Sequence, residues 1–357
     1  MTDNAPNLPD TSPAYGLLPE DWTAACKAAK LPAFRAKQIL QGLYRDRIDS
    51  WDALTTLPGS VRESFAKDYP LTTLREVRRT PSGPDGVTKF LLEAEDGEQI
   101  ETVWIPADGR VTQCISSQVG CNMHCAFCAS GQLGCVRSLT AAEIVAEVMV
   151  LSRAMGCYPN NIVVMGMGEP FLNYDNVIRA LRILNCQQGP NIGARHITLS
   201  TCGIVPGIER LSHEGVQFEL SVSLHAPTDT LRSQLMPVNK RWNLSELMPA
   251  CDAYTAATGR IITYEYTMVY KFNDRPEHAA ALIRLLRGRK ARVNLIPLSP
   301  VAEFDGKTPP NADCLAFLDT MLKAGIHTTM RRSRGKQADA ACGQLRLRNI
   351  RENRNGK

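Results

Sequence analysis

Three cysteines, Cys121, Cys125 and Cys128, stand at intervals of four and three residues behind Gly120. Thiolates are soft ligands, and three on one short loop suit an iron–sulfur cluster or a zinc ion. Zinc needs a fourth donor. His124 is the nearest, but it adjoins Cys125, and structural zinc sites draw on two separated ligand pairs. On a four-iron cluster, three cysteines leave one iron open to a small chelating ligand. Cys114 and Cys135 flank the group, whereas Cys26, Cys157, Cys186, Cys202, Cys251 and Cys314 are scattered and read as packing thiols. Cys342 sits in a small-residue stretch, residues 338–343, suited to a mobile loop; on composition alone it also reads as a core thiol.

A second pattern follows in Met165, Gly166, Met167, Gly168, Glu169 and Pro170. Glycines let a ligand approach the backbone and proline stiffens the exit, although a plain turn would use the same residues. Further on, Ser200 and Thr201, then Ser223, Leu224 and His225, then Asn294 each fall at the end of a β-like run. Each is an ordinary turn former by itself. Their recurrence at successive strand ends points to a ligand rim.

The elements that must position these residues are β-like runs at 111–116, 161–165, 196–200, 217–224, 261–269 and 292–296, alternating with helical patterns. One helix opens at Thr140 with Glu143 three residues on, the capping-box spacing. Six β/α units in a row require parallel strands covered by helices. An open doubly wound sheet has the same pattern, but polar and Gly-rich strand exits favour a partial (β/α)6 TIM-like barrel with its site at the carboxy-terminal rim.

Before the barrel, residues 1–16 read as a disordered tail and 17–73 as a helical accessory module entered at Pro19, Glu20 and Asp21. Residues 74–106 read as a connecting β hairpin turning at Asp96 and Gly97. The barrel is expected over 107–337, with a cysteine loop and basic tail over 338–357.

The 357 residues, 44% hydrophobic and 22% charged, exclude a peptide-scale, disulfide-framework or largely disordered protein. The longest apolar run, residues 144–151, is short and broken by Glu147, so no membrane span is expected. The polar start does not read as a signal peptide, and the chain is expected in the cytoplasm. A net charge of +5 says little about partners. Arg331, Arg332, Arg334, Lys336, Arg346, Arg348, Arg351 and Arg354, however, make a basic end that suits either RNA phosphates or solvent.

The C-x3-C-x2-C loop at a barrel mouth resembles the radical S-adenosylmethionine (SAM) superfamily, with Phe127 at its usual aromatic position. Residues 100–106, 114–121, 166–170, 223–227 and 340–345 together resemble the RlmN/Cfr family of RNA methyltransferases, and within it the adenine-C2 branch, over nearly the whole chain. The resemblance implies a [4Fe-4S] cluster on Cys121, Cys125 and Cys128, and SAM contacts at Gly168, Glu169, Ser200, Ser223, Leu224, His225 and Asn294. It implies Cys342 as methyl carrier and Cys114 as its resolving partner through a transient disulfide. Glu101 is implied as proton acceptor, though whether it or Cys114 takes the C2 proton stays open, and a surface carboxylate on an edge strand would look the same.

The implied reaction is methylation of C2 of adenine in 23S rRNA (position 2503) and in tRNA (position 37), using two SAM per turnover. RNA contacts through the helical module and basic segments, a low-potential flavodoxin-like electron donor and a monomeric state are also expected. The neighbouring alternative is Cfr-type methylation of C8 of the same ribosomal adenine. An RNA-binding protein with a structural zinc ion is the alternative from another class. Three departures from the family's pattern stand out: Cys135 near the cluster loop, Cys202 after Thr201, and arginines after Leu345.

Overall fold

A computed structural model describes residues 13–331 apart from 72–73, 82–84, 133, 300 and 302–303. Cys342 and the basic end beyond Arg331 lie outside the described residues.

The chain is ordered earlier than the expected tail allows. Ala14–Gly16 forms a helical turn, and Tyr15 is buried, its hydroxyl accepting from Arg153 at 2.9 Å. Helix α1 (Pro19–Ala28) begins where Asp21 accepts the backbone N–H of Leu18. Helix α2 (Phe34–Leu40) runs into a π-helical turn at Gln41–Asp46, and α3 (Gly59–Asp68) completes the module. Trp22, Trp51, Phe65 and Tyr69 form its aromatic core, with ring centroids 5.2–6.3 Å apart.

Strands β1 (Leu74–Pro81), β2 (Thr88–Ala94) and β3 (Gln99–Ala107) form an antiparallel meander, one strand more than the expected hairpin. The β2–β3 turn falls at Asp96 and Gly97, where Gly97 takes φ 83°. The meander is continuous with the barrel sheet, because β3 pairs antiparallel with β4 (Arg110–Ile115). A separate hairpin of β5 (Gln118–Cys121) and β6 (Gly134–Ser138) encloses the cysteine loop and short helix α4 (Ala129–Gln132).

The parallel part then alternates strand and helix, with two helices between its fourth and fifth strands. Helix α5 (Ala141–Met155) opens with Thr140 accepting from the Glu143 N–H, the capping box the spacing predicts. Then come β7 (Asn161–Val164), α6 (Tyr174–Asn185), β8 (Ile197–Thr201), α7 (Val205–Ser212) and β9 (Glu219–Ser223). Next are α8 (Asp229–Leu235), α9 (Leu244–Thr258), β10 (Ile262–Met268), α10 (Pro276–Leu286) and β11 (Ala291–Pro297). Helix α11 (Asn311–Lys323) and β12 (His327–Met330) finish the described chain.

The sheet order is β1-β2-β3-β4-β7-β8-β9-β10-β11-β12, all parallel from β4 onward. The six expected strands are β4 and β7 to β11. The seventh, β12, is short and polar, His-Thr-Thr-Met, without the apolar run that marks the others. Residues from the carboxyl ends of β7 to β11 line one common cavity, so the parallel sheet curls into a partial barrel.

Candidate active site

The cavity, about 310 Å³, lies inside the carboxyl rim between the cysteine loop and the ends of β7 to β11. Cys121 ends β5, Cys125 follows one turn later, and Cys128 immediately precedes α4; all three line the cavity. His124, φ 50°, turns the loop, and its Nδ1 bonds the Gly131 carbonyl at 3.1 Å, so its ring braces the loop. Gly131 packs against the same turn: a Cβ there would lie 3.3 Å from the Cys125 nitrogen. The N–H of Ala126 donates to the Leu235 carbonyl at 2.9 Å, fastening the loop to α8.

Burial pushes the Cys121 thiol up to about 12 and Cys125 well above its ordinary value, so both are neutral until a metal displaces their protons. An all-thiol donor set suits an iron–sulfur cluster. Among the described residues, no three His, Cys, Asp or Glu side chains converge on a single metal ion.

Opposite the loop, the β7 exit brings backbone close to the cavity. Gly168 has φ 102°, and a Cβ there would lie 2.6–2.7 Å from Gln118 and Ser117; at Gly166 it would lie 2.7 Å from the Ile115 carbonyl. Only glycine fits at either position. Glu169 is 3% exposed, and its carboxylate accepts the N–H groups of Phe171 at 3.0 Å and Cys202 at 2.7 Å. Burial raises its pKa and those N–H donations oppose the rise.

Ser200, Ser223, His225 and Asn294 also line the cavity. The Nδ1 of His225 accepts the Thr267 N–H at 2.9 Å, leaving the proton on Nε2, and Phe127 meets the ring edge-on at 4.7 Å. Burial, then the positive charge of Arg232, lowers the His225 pKa to about 3, so the imidazole is neutral at physiological pH.

Leu224 is different. It is fully buried, is not among the lining residues, and its carbonyl accepts from Arg232, so it meets the rim only as backbone support. Glu265 and Cys202, to which the sequence reading assigns no ligand role, also line the cavity. Glu265 on β10 accepts from Asn294 at 2.8 Å, and its carbonyl accepts the N–H groups of Leu224 and His225. Cys202 looks like scattered packing in sequence, yet it lines the cavity and donates its N–H to Glu169.

Glu101 and Cys114 lie one wall further back. Cys114 is paired with Val103 across β3 and β4 and with Val163 across β4 and β7, and residues directly opposite share a face. It packs in a small apolar cluster with Val103, Val163 and Met165, and Met165 lines the cavity. The other face of β4 meets α5: Gln113 donates to the Glu147 carbonyl at 3.0 Å. Glu101, two residues before Val103, therefore points to the inner face with Cys114. It is 3% exposed on a strand flanked by β2 and β4, which rules out the surface edge carboxylate. Ser116 holds the two strands in step, donating to the Glu101 carbonyl at 2.7 Å while its own N–H meets the buried Glu147 carboxylate at 3.0–3.1 Å.

A curled parallel sheet with a three-thiol loop and a Gly-Glu strand exit at its carboxyl rim defines a radical SAM enzyme, and the Radical SAM superfamily model matches residues 115–283. A radical SAM methyltransferase from Sphaerobacter thermophilus, solved as a crystal structure, superposes with a TM-score of 0.89 at 43% identity, covering 93% of this chain and 98% of that one. Proteins named "probable dual-specificity RNA methyltransferase RlmN" are similar along most of their length. The one from Symbiobacterium thermophilum is 45% identical over 89% of this chain and 86% of its own, and that from Halalkalibacterium halodurans 43% identical over 96% and 95%. The chain belongs to the RlmN family of RNA methyltransferases, and the cofactors of that family are a [4Fe-4S] cluster and SAM.

Proposed function

We propose that this enzyme methylates C2 of adenine in 23S rRNA and in tRNA, with the methyl group carried on Cys342. The observation that carries the reading is that Glu101 and Cys114 share the inward face of β3 and β4, with Cys114 packed against Met165, which lines the same cavity as the three thiols. The names of the similar proteins support the same activity.

Cys121, Cys125 and Cys128 hold the cluster in this reading. Gly168, Glu169, Ser200, Ser223, His225 and Asn294 receive SAM at the rim, with Leu224 backing them. Glu169 is suited to an ammonium group because its carboxylate is fixed by two N–H donors before any ligand arrives. A cluster held there would supply the one electron that cleaves SAM to methionine and a 5′-deoxyadenosyl radical.

The rest falls to the chain. C2 of adenine lies between two ring nitrogens and is too electron-poor to attack the methyl of SAM, whereas a thiolate does so readily. Cys342 therefore takes a methyl group from one SAM and presents it to C2. The S-methyl carbon gives up one hydrogen atom to the 5′-deoxyadenosyl radical that a second SAM would supply and bonds to C2, and one electron leaves the adduct. Cys114, as thiolate, then attacks the Cys342 sulfur, so that an S–S bond forms as the C–S bond breaks, the electron pair of that bond stays on the RNA-bound carbon, and a proton completes the methyl group and frees the RNA. Glu101 or Cys114 accepts the C2 proton. Both RNAs are cytoplasmic, and a low-potential flavodoxin-like protein is the matching electron donor.

Incubation with methyl-labelled SAM followed by peptide mass spectrometry tests the carrier. The label is expected on the peptide containing Cys342 and nowhere in Cys342→Ala; a wild-type chain without label on that peptide overturns the reading.

A further inference from the structure

Arg232, on α8, is completely buried. A buried guanidinium is costly unless its charge and its donors are met. The donors are met well. Nε donates to the Leu224 carbonyl at 3.2 Å, Nη1 to Asn239 Oδ1 at 2.8 Å and the Trp242 carbonyl at 3.4 Å, and Nη2 to the carbonyls of Cys202 at 2.6 Å and Ser223 at 3.2 Å. Every acceptor is neutral. Among the described residues none forms an ion pair with Arg232, although the charge of Asp229, three residues earlier, reaches it.

The acceptors have a common location. Cys202 follows β8 directly, while Ser223 and Leu224 close β9, so one planar fork clamps the two strand ends that present Ser200, Ser223 and His225 to the cavity. Gly203 leaves room for the fork: its φ is 106°, and a Cβ would lie 3.1 Å from Nη2. The helix carrying Arg232 also grips the cysteine loop through Leu235 and Ala126, so the cation is tied to both walls of the cavity. Cys202, held by Nη2 at its carbonyl, donates its own N–H to Glu169.

We infer that Arg232 is a positioning residue with two effects: it locks the rim formed by the ends of β8 and β9, and its fixed positive charge compensates the anionic centre of three cluster thiolates and Glu169. The inference rests on the cluster and SAM assignment above. The guanidinium reaches both sides through its neighbours: it holds Cys202, whose N–H meets Glu169, and its helix carries Leu235, whose carbonyl holds Ala126 beside Cys125. A cation held in a low-dielectric interior is screened little by solvent, so its removal disfavours the more reduced, more negative cluster.

The test uses the reconstituted holoenzyme, with the cluster's midpoint potential read by EPR-monitored titration and SAM affinity by equilibrium dialysis. Arg232→Gln removes the charge: the potential is expected to move to a more negative value and SAM affinity to fall by about tenfold, the loss of roughly one charge-assisted hydrogen bond. Arg232→Lys keeps the charge and loses the fork: SAM affinity falls while the potential stays at the wild-type value. A folded Arg232→Gln enzyme with the wild-type potential, or an Arg232→Lys enzyme displaced as far as Arg232→Gln, overturns the inference. Should the Gln variant fail to fold, the Lys variant decides alone, since a displaced potential or undiminished SAM binding refutes the inference. A wild-type protein whose cluster signal ignores SAM overturns the cofactor assignment and this inference with it.

Discussion

Glu169 and Cys202, the residues that follow the ends of β7 and β8, are joined by a 2.7 Å hydrogen bond from the Cys202 N–H to the Glu169 carboxylate. This bond, with that from Phe171, fixes a buried carboxyl group at the cavity wall. Glu169→Gln retains the shape and loses the charge, so SAM affinity is expected to fall at least about tenfold with a small change in melting temperature. Glu169→Ala also strands two buried N–H groups, at a cost of about 1–3 kcal/mol each. Equilibrium dialysis and thermal melts separate the two variants, and equal melting temperatures would contradict the account.

His225 gives a pH prediction with a definite sign. Its folded pKa, about 3, lies below the ordinary 6.5, so between those values the unfolded chain binds a proton that the folded chain does not. Its contribution to stability is therefore full above pH 6.5 and declines as pH falls toward 3, at about 1.36 kcal/mol per pH unit within the window. His225→Asn tolerates the left-handed φ of 57° and keeps an acceptor for the Thr267 N–H. Its stability should fall less steeply than that of wild type over this range in urea titrations; parallel curves would contradict the buried neutral imidazole.

Much of this site could be read from the sequence because it rests on local chemistry. The cysteine spacing, the Gly-Glu strand exit and the polar strand ends each fall where the barrel brings them together. Other parts depended on tertiary geometry. Arg232 is a single arginine in a polar segment, and nothing local says that it is buried beneath two strand ends. Cys202 differs from the packing cysteines only by its position after β8. Glu101 required the β3–β4 register, which moves it from a conceivable surface edge to the inner face. Leu224 shows the converse: a strand-end position predicts nearness to the rim but not that the side chain turns into the core. The seventh strand, β12, lacks the apolar run by which the other parallel strands are recognised. Glu147 left a visible trace, one acid in an apolar run, and its carboxylate proves to hold Ser116 between the strands of Glu101 and Cys114.

Gly168→Ala should abolish SAM binding. The new methyl group would sit 2.6–2.7 Å from Gln118 and Ser117 at φ 102°, and neither contact is relieved without moving the strand exit. Soluble protein that retains wild-type SAM affinity would show that the exit does not bear on the ligand.

Cys114→Ala removes one sulfur from a small apolar cluster, and a stability loss of about 1 kcal/mol is expected. Its chemical effect is larger. Without the thiol that breaks the link, enzyme joined to RNA should accumulate as a slow-migrating, nuclease-sensitive species on denaturing gels. Free turnover by this variant would remove Cys114 from the reaction.

The most direct measurement is nucleoside mass spectrometry after anaerobic incubation of the iron-reconstituted enzyme with SAM, reductant and unmodified 23S rRNA or tRNA. The account predicts a product co-eluting with 2-methyladenosine. An 8-methyladenosine product, or no methylated adenosine from enzyme that cleaves SAM, would contradict it.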